Sequence, residues 1–247
     1  MKASDYKALY DQVDPLSGWD FSKVNCVTEG PDLDIYREVR KVCRKSDLLL
    51  DIGTGGGEKV LPLADDVLLL VGIDQDAEMV EAACQNAADA GAPNVRFLKM
   101  DAERLEFPND FFNIVSCRQS ELFADEAARV LVPGGRFLTQ QVSEGNKLNI
   151  KQAFGRETGK PGALRDRYVR ELKEAGFRDI DVIEFTIIEY FQSPADLIFQ
   201  LKHTPTLPDF GQSDEHFEIL ERFIRENRTE KGIRTNMERF ILTARKP

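Results

Sequence analysis

Residues 48–57 read Leu-Leu-Leu-Asp-Ile-Gly-Thr-Gly-Gly-Gly, an apolar run that meets an acidic residue and then a glycine-rich turn. The continuous run Leu48, Leu49, Leu50 and Ile52 predicts a strand covered on both faces, which points to a layered α/β fold with a largely parallel sheet. Gly53, Gly55 and Gly57 remove Cβ atoms where the backbone must turn tightly and where a ligand can approach it. A helix is expected directly after the turn, offering free N–H groups and a partial positive charge to an anion. Sheets of this kind bind ligands outside the carboxyl ends of their strands, so the turn marks where a site is to be sought.

Spacing narrows the ligand. A dinucleotide turn needs a small residue at the third glycine of G-x-G-x-x-G. Here Gly53-x-Gly55 is followed by Glu58 at that place, and the pattern is instead Asp51-x-Gly53-x-Gly55-x-Gly57. The next predicted strand, residues 67–73, ends in Asp74, whose carboxylate can accept hydrogen bonds from a ribose diol. A helix over 76–90 has Asp76 as N-cap, apolar positions at Met79, Val80, Ala83, Cys84 and Ala87, and Gly91 as its stop. A third strand, 95–100, runs into Asp101-Ala102. A fourth ends near Ser116-Cys117-Arg118. Residues 126–138 then read as a helix, a Pro133-Gly134-Gly135 turn and a fifth strand that continues to Val142.

In this order the motifs resemble the class I S-adenosylmethionine-dependent methyltransferases. The resemblance implies an α/β, Rossmann-like, doubly wound sheet of seven strands, mostly parallel with the last strand antiparallel. It implies one domain: an N-terminal lid and helix over 1–47, a cofactor-binding core over 48–142, and an acceptor side with a helical insertion over 143–247. S-adenosyl-L-methionine is the implied cofactor and S-adenosyl-L-homocysteine the product. Asp51, Gly53, Thr54, Gly55 and Gly57 would form the turn over which the cofactor lies, with Asp74 on the ribose. Gln75 and Met79 would flank ribose and adenine, although Met79 reads equally well as core. Asp101 and Ala102 would meet the adenine, and Cys117 and Arg118 the floor of the methionine half. Asn113 stands where the family often has Asp.

Charge bears on the acceptor. The 247 residues carry 33 Lys and Arg against 43 Asp and Glu, a formal net charge of −10. Nucleic-acid enzymes need a basic footprint, so the balance disfavours DNA or RNA and favours a small-molecule acceptor. The most basic stretch holds Lys147, Lys151, Arg156, Lys160, Arg165, Arg167 and Arg170, and reads either as a solvated loop and helix face or as an RNA patch. Cysteines 26, 43, 84 and 117 form no C-x-x-C pair, so neither a zinc site nor a disulfide framework is expected, and no metal is assigned. The first residues lack an apolar signal-peptide core. The longest apolar stretch, 67–73, falls far short of the ~20 residues that span a bilayer. A soluble protein of a reducing cytoplasm, with no membrane partner, is the expectation.

Outside the core, Tyr6, Leu9, Tyr10, Val13, Trp19 and Phe21 form an aromatic amphipathic stretch, followed by a helix over 33–43. Tyr10 and Trp19 read either as ligand contacts or as anchors. A long connection, 143–162, precedes a helix over 163–175, a strand over 180–190, helices over 194–202 and 214–227, and a last strand over 237–244. Loops of this length tend to carry function. The methyl donor is already electrophilic, so the protein has mainly to align a nucleophile, an O or N atom or possibly carbon; a base is needed only if the acceptor must lose a proton. His203 is the candidate base and His216 reads as a surface residue; Glu121 and Glu144 read as acceptor-side or merely solvated. The alternatives are an RNA or protein methyltransferase of the same fold, a non-catalytic cofactor-binding module, and an NAD-dependent oxidoreductase, against which Glu58 and Asp101 both speak.

Overall fold

A computed structural model describes residues 1–13, 21 and 24–247. In chain order the elements are α1 (Ala3–Gln12), β1 (Cys26–Glu29), α2 (Ile35–Val42), β2 (Leu48–Ile52), a 3-10 helix (Leu61–Asp66), β3 (Leu69–Asp74), α3 (Ala77–Asp89) and β4 (Val95–Lys99). They continue as β5 (Phe112–Arg118), α4 (Ala124–Val130), β6 (Leu131–Val142), α5 (Leu148–Ala153), α6 (Ala163–Glu174) and β7 (Arg178–Phe191). The chain ends with α7 (Pro194–His203), α8 (Glu215–Asn227), β8 (Arg228–Thr229) and β9 (Gly232–Arg245). The chain divides into two compact units, a sheet unit of residues 32–142, 164–184 and 239–247, and a helical unit of residues 1–31, 143–163 and 185–238.

In the sheet unit the strand order is β4-β3-β2-β5-β6-β9-β7. β2 through β6 run parallel, and residues 239–245 of β9 enter antiparallel to β6. This is the doubly wound sheet expected from the apolar strand runs. Along β2, Leu50 and Ile52 pack into one apolar cluster and Leu49 into another, so both faces of the strand are covered. The first cluster takes in Phe112, Phe137, Tyr168 and Phe240; the second takes in Ile35, Val39, Leu63 and Leu70.

The helical unit has its own core of Tyr6, Phe191, Leu197, Phe217, Phe223 and neighbours, on which α1, α7 and α8 converge. Ser193 caps α7, its hydroxyl accepting from the Asp196 N–H while Asp196 returns a bond to the Ser193 N–H, a capping box with Pro194 at the first helical position. β1 pairs antiparallel with residues 188–191 of β7, and β8 forms a hairpin with β9.

Five expectations need correction. Among the described residues there are nine strands rather than seven. β1 exposes Val27, Thr28 and Glu29 and β8 is two residues long, so neither shows an apolar alternation. No α-helix follows the glycine turn. A 3-10 helix stands there, with Pro62 in its first turn and the i, i+3 pairs Val60/Leu63 and Ala64/Val67 buried, the spacing at which 3-10 side chains eclipse. Pro133-Gly134-Gly135 is not a turn before a strand but a bulge inside β6, where Phe112 pairs with Leu131 and Ile114 already with Arg136. The last strand begins at Gly232, earlier than expected, and 143–162 contains α5. Among the described residues, no helix is long and apolar enough to cross a membrane.

Candidate functional site

β2, β3 and β5 deliver their carboxyl ends side by side, with Asp51 opposite Gly72 on one flank and opposite Ser116 on the other. Asp51 is fully buried. Its carboxylate accepts from Ser116 Oγ at 2.6 Å and from Tyr36 OH at 3.2 Å. Burial pushes its pKa up to about 6, against the hydroxyls of Ser116, Thr54 and Tyr36 and the nearby charge of Arg118. Burial and the Asp51 charge in turn hold the Tyr36 phenol well above its ordinary range. The sequence places Ser116 at the end of the fourth strand, beside the floor residues Cys117 and Arg118, but does not indicate that its hydroxyl or that of Tyr36 holds Asp51. Ser116 had a signal, a hydroxyl inside an otherwise apolar strand; Tyr36 looked like one more apolar position of α2.

The turn leaves β2 with positive φ at three glycines, each for its own reason. A Cβ on Gly53 (φ 69°) would lie 2.5 Å from Ser120 Cβ, and one on Gly57 (φ 77°) 2.6 Å from the Phe97 ring. A Cβ on Gly55 (φ 55°) would meet no heavy atom within 4 Å. The backbone at Gly55 therefore faces open space. Four of the turn's donors are spent internally: the N–H groups of Gly53 and Thr54 go to Ile73 O, that of Gly57 to Thr54 O, and that of Gly55 to Asp74 Oδ2 at 2.9 Å. Asn86 on α3 pins the turn by donating to Gly56 O. With those donors occupied and no α-helix behind them, the turn is not the phosphate cradle that a dinucleotide requires.

Asp74 ends β3, half-buried, and accepts from the N–H groups of Gly55 and Asp76 on separate oxygens. A carboxylate offers about four lone-pair sites, so each oxygen keeps one for a diol. Gln75 is exposed, and Met79 is half-buried without joining either apolar cluster of its unit. Register places Asp74 opposite Lys99, and Met100 N–H donates to Asp74 O, so exposed Asp101 and half-buried Ala102 follow just past the neighbouring strand end. Asp101 accepts from Glu103 N–H through one oxygen, leaving the other free of hydrogen bonds among the described residues. Arg118 Nε is buried without a hydrogen-bond partner among the described residues, and the buried Thr54 hydroxyl lies beside the Asp51 carboxylate. An orphaned guanidinium nitrogen, a bare stretch of backbone and two acidic strand ends fit an uncharged ribose-adenine group with a polar tail.

Cys117 is placed differently from the others. Its side chain is buried, and burial together with the Asp51 charge pushes the thiol up to about 12. Asn113 earns its identity structurally: its Oδ1 accepts from Leu48 N–H and ties the start of β5 to that of β2.

The remaining candidates lie in the helical unit or are ion-paired. His203 ends α7, with Nδ1 against Phe199 O at 2.9 Å and Nε2 buried without a partner among the described residues. His216 is not the surface residue expected: its side chain is 14% exposed, stacks on Phe210 and accepts from Gly211 N–H. Tyr10 packs edge-on against Phe210 and Phe217 with Lys202 over its ring, an anchoring role, and Trp19 lies outside the described residues. Glu121 pairs with Arg167, and Glu144 accepts from Gly162 N–H. In the basic stretch, Lys147, Arg156, Arg165 and Arg167 are bound to Glu189, Asp209, Glu184 and Glu121 respectively. Those cations are not free to track phosphates.

The chain is similar to known proteins in sequence and in fold. A family model described as a methyltransferase domain matches residues 49–135. The chain is 41% identical over 117 residues to an uncharacterized methyltransferase, YcgJ, of Bacillus subtilis, covering 44% of this chain and 46% of that one. The crystal structure of YcgJ superposes with a TM-score of 0.63 at 23% identity, covering 85% of this chain and 97% of that one, a likeness of fold. The ubiquinone/menaquinone biosynthesis C-methyltransferase UbiE of Stutzerimonas stutzeri is 30% identical over 125 residues, covering 45% and 48% of the two chains. The 27-O-demethylrifamycin SV methyltransferase of Amycolatopsis mediterranei is 34% identical over 152 residues, 54% of each. The chain thus spans about half the length of the curated relatives it matches.

Proposed function

We propose that this chain is a class I S-adenosylmethionine-dependent methyltransferase that transfers a methyl group from that cofactor to a small molecule. The observation that carries the reading is the open backbone at Gly55 between the acidic strand ends Asp74 and Asp101. Asp74 holds the ribose diol with its two spare lone pairs, and Asp101 and the Ala102 N–H take the adenine edge. Gln75 and Met79 flank the sugar and base. Arg118 offers its orphaned Nε to the polar tail, while Cys117, with its thiol buried and its carbonyl accepting from Thr139 Oγ1, forms the floor beneath it. Asp51 acts one layer below, keeping the turn in place through Ser116 and Tyr36.

When bound, the cofactor supplies a sulfonium methyl that needs no further activation, so the chain's contribution is alignment and exclusion of water. Relatives named for methylation at carbon and at oxygen favour those two accepting atoms over nitrogen. No base is assigned for an acceptor that must lose a proton: His203 belongs to the helical unit and its Nε2 is buried. The ion-paired cations of residues 147–167 support a small acceptor over RNA. A cytoplasmic setting and a single catalytic domain belong to the same proposal.

Isothermal calorimetry with S-adenosylmethionine, S-adenosylhomocysteine and NAD in parallel tests it. Micromolar binding of the first two with none of the third is expected. Binding of NAD alone would overturn the reading.

A further inference from the structure

At the amino ends of β2 and β5, away from the glycine turn, the sheet unit has a cavity of about 350 Å³. Its polar lining is Arg44, Asp47, Asn113, Arg136 and Arg245, and the β6 bulge Pro133-Gly134-Gly135 forms one wall. Arg136 and Arg245 are directly opposed across the antiparallel pair β6/β9, so both side chains leave the same face of the sheet. Like charges directly opposite on a sheet are destabilising. Neither residue, nor Arg44, is in an ion pair among the described residues.

Some other arginines do meet acids, Arg40 with Asp66, Arg129 with Glu126, Arg156 with Asp209 and Arg165 with Glu184. Here the lining offers one carboxylate, Asp47, and its Oδ2 accepts from the Arg44 backbone N–H at 2.9 Å. Two positive charges are left in excess. Gly134 sits in the wall at φ 80°, a backbone conformation that favours glycine, and borders Arg245 Nη2.

We propose that this cavity binds a small phosphate-bearing anion. Guanidinium forks match phosphate oxygens in pairs, and a dianion would neutralise the excess charge and relieve the Arg136/Arg245 repulsion. The volume lies at the lower end of small-ligand sites, room for a phosphate and a modest substituent. A nucleic-acid backbone fits less well, because the arginines surround a cavity rather than form a stripe and the chain is acidic overall. The site does not depend on the methyltransferase reading, which concerns the carboxyl ends of these strands.

The test is calorimetry and thermal melting with inorganic phosphate and pyrophosphate on the full chain, the Arg136→Gln/Arg245→Gln double variant and Arg44→Gln. The parent is expected to bind with a melting temperature that rises with ligand concentration. Arg44→Gln should weaken binding roughly tenfold and the double variant roughly a hundredfold, while S-adenosylhomocysteine binding stays at the parent level. Without phosphate, the double variant should melt no lower than the parent, because a repulsion has been removed. No binding by the parent, or an equal melting shift in parent and variants, would overturn the proposal. So would an RNA oligonucleotide that binds at these arginines when phosphate does not. Should the double variant fail to fold, Arg44→Gln, which lies outside the strands, decides the matter alone.

Discussion

The two units bury charge in opposite ways. In the helical unit, Lys147 and Glu189 form a salt bridge with side chains only 3% and 8% exposed, and the ammonium also sits over the Phe191 ring. In the sheet unit, Asp51 is buried among neutral hydroxyls, its bonds coming from Ser116 and Tyr36. A pair of opposite charges satisfies itself whatever the pH near neutrality. A carboxylate held by neutral donors keeps much of its desolvation penalty, which is why its pKa is raised to about 6. The first arrangement is a permanent brace; the second is a group whose charge state depends on the solution.

The largest effect should come from breaking the brace. Glu189→Ala leaves the Lys147 ammonium buried without its carboxylate and should cost about 3–5 kcal/mol in urea unfolding. The double variant Lys147→Met/Glu189→Leu should recover most of that loss, because apolar groups of similar size need no desolvation. A loss below about 1 kcal/mol for Glu189→Ala would show that water reaches the lysine and that the contrast between the units is false.

Asp51 predicts a different signature, in pH rather than in absolute stability. Its native pKa of about 6 lies above the ordinary 3.8, so between those values the native state holds a proton that the unfolded chain has released. Stability therefore falls as pH rises through that window, by on the order of 3 kcal/mol, and levels off above it. Asp51→Asn removes the titration. Subtracting the variant's unfolding free energy from the parent's at each pH cancels other groups, and the difference should fall between pH ~4 and ~6.5. Parallel curves would mean that Asp51 is ionised throughout.

Asp74 is the carboxylate that faces outward, and its loss should show in binding more than in folding. Asp74→Ala should weaken S-adenosylhomocysteine binding by about 2–3 kcal/mol, the worth of paired charge-assisted hydrogen bonds. Because Asp74 also takes the Gly55 N–H, a modest drop in melting temperature should accompany the loss. Unchanged affinity in calorimetry would show that the ribose lies elsewhere.

What the sequence made legible were local features. The apolar runs of β2 and β3, the Asp76 cap of α3 and the glycine spacing each act within a few residues, so residue type alone indicates them. The features that escaped depend on register or on distant chain. Ser116 matters because β5 sets it beside Asp51, 65 positions away. Gly57 matters because Phe97 fills the space above it. The cations of 147–167 looked available until partners from 121, 184, 189 and 209 were placed beside them. The helix expected after the turn failed on competition between levels: a proline and four buried side chains at three-residue spacing outweighed the general habit of such turns.

The smallest effect discriminates most finely. Tyr36→Phe removes one hydroxyl, the 3.2 Å donor to Asp51 Oδ2, and leaves the ring that packs in the core. Above pH ~6.5, where Asp51 is charged, the loss should be about 1.5–3 kcal/mol, the range for a bond to an ionised acceptor. Near pH ~4.5 Asp51 is mostly protonated, the bond is neutral, and the cost should shrink to about 1 kcal/mol or less. With one donor fewer, the charged form is disfavoured further, so the Asp51 titration should move to higher pH than in the parent. Urea unfolding of both proteins across that range reads both quantities at once. A cost independent of pH would mean that the Tyr36 hydroxyl does not sense the Asp51 charge, which would then be governed by Ser116, Thr54 and Arg118.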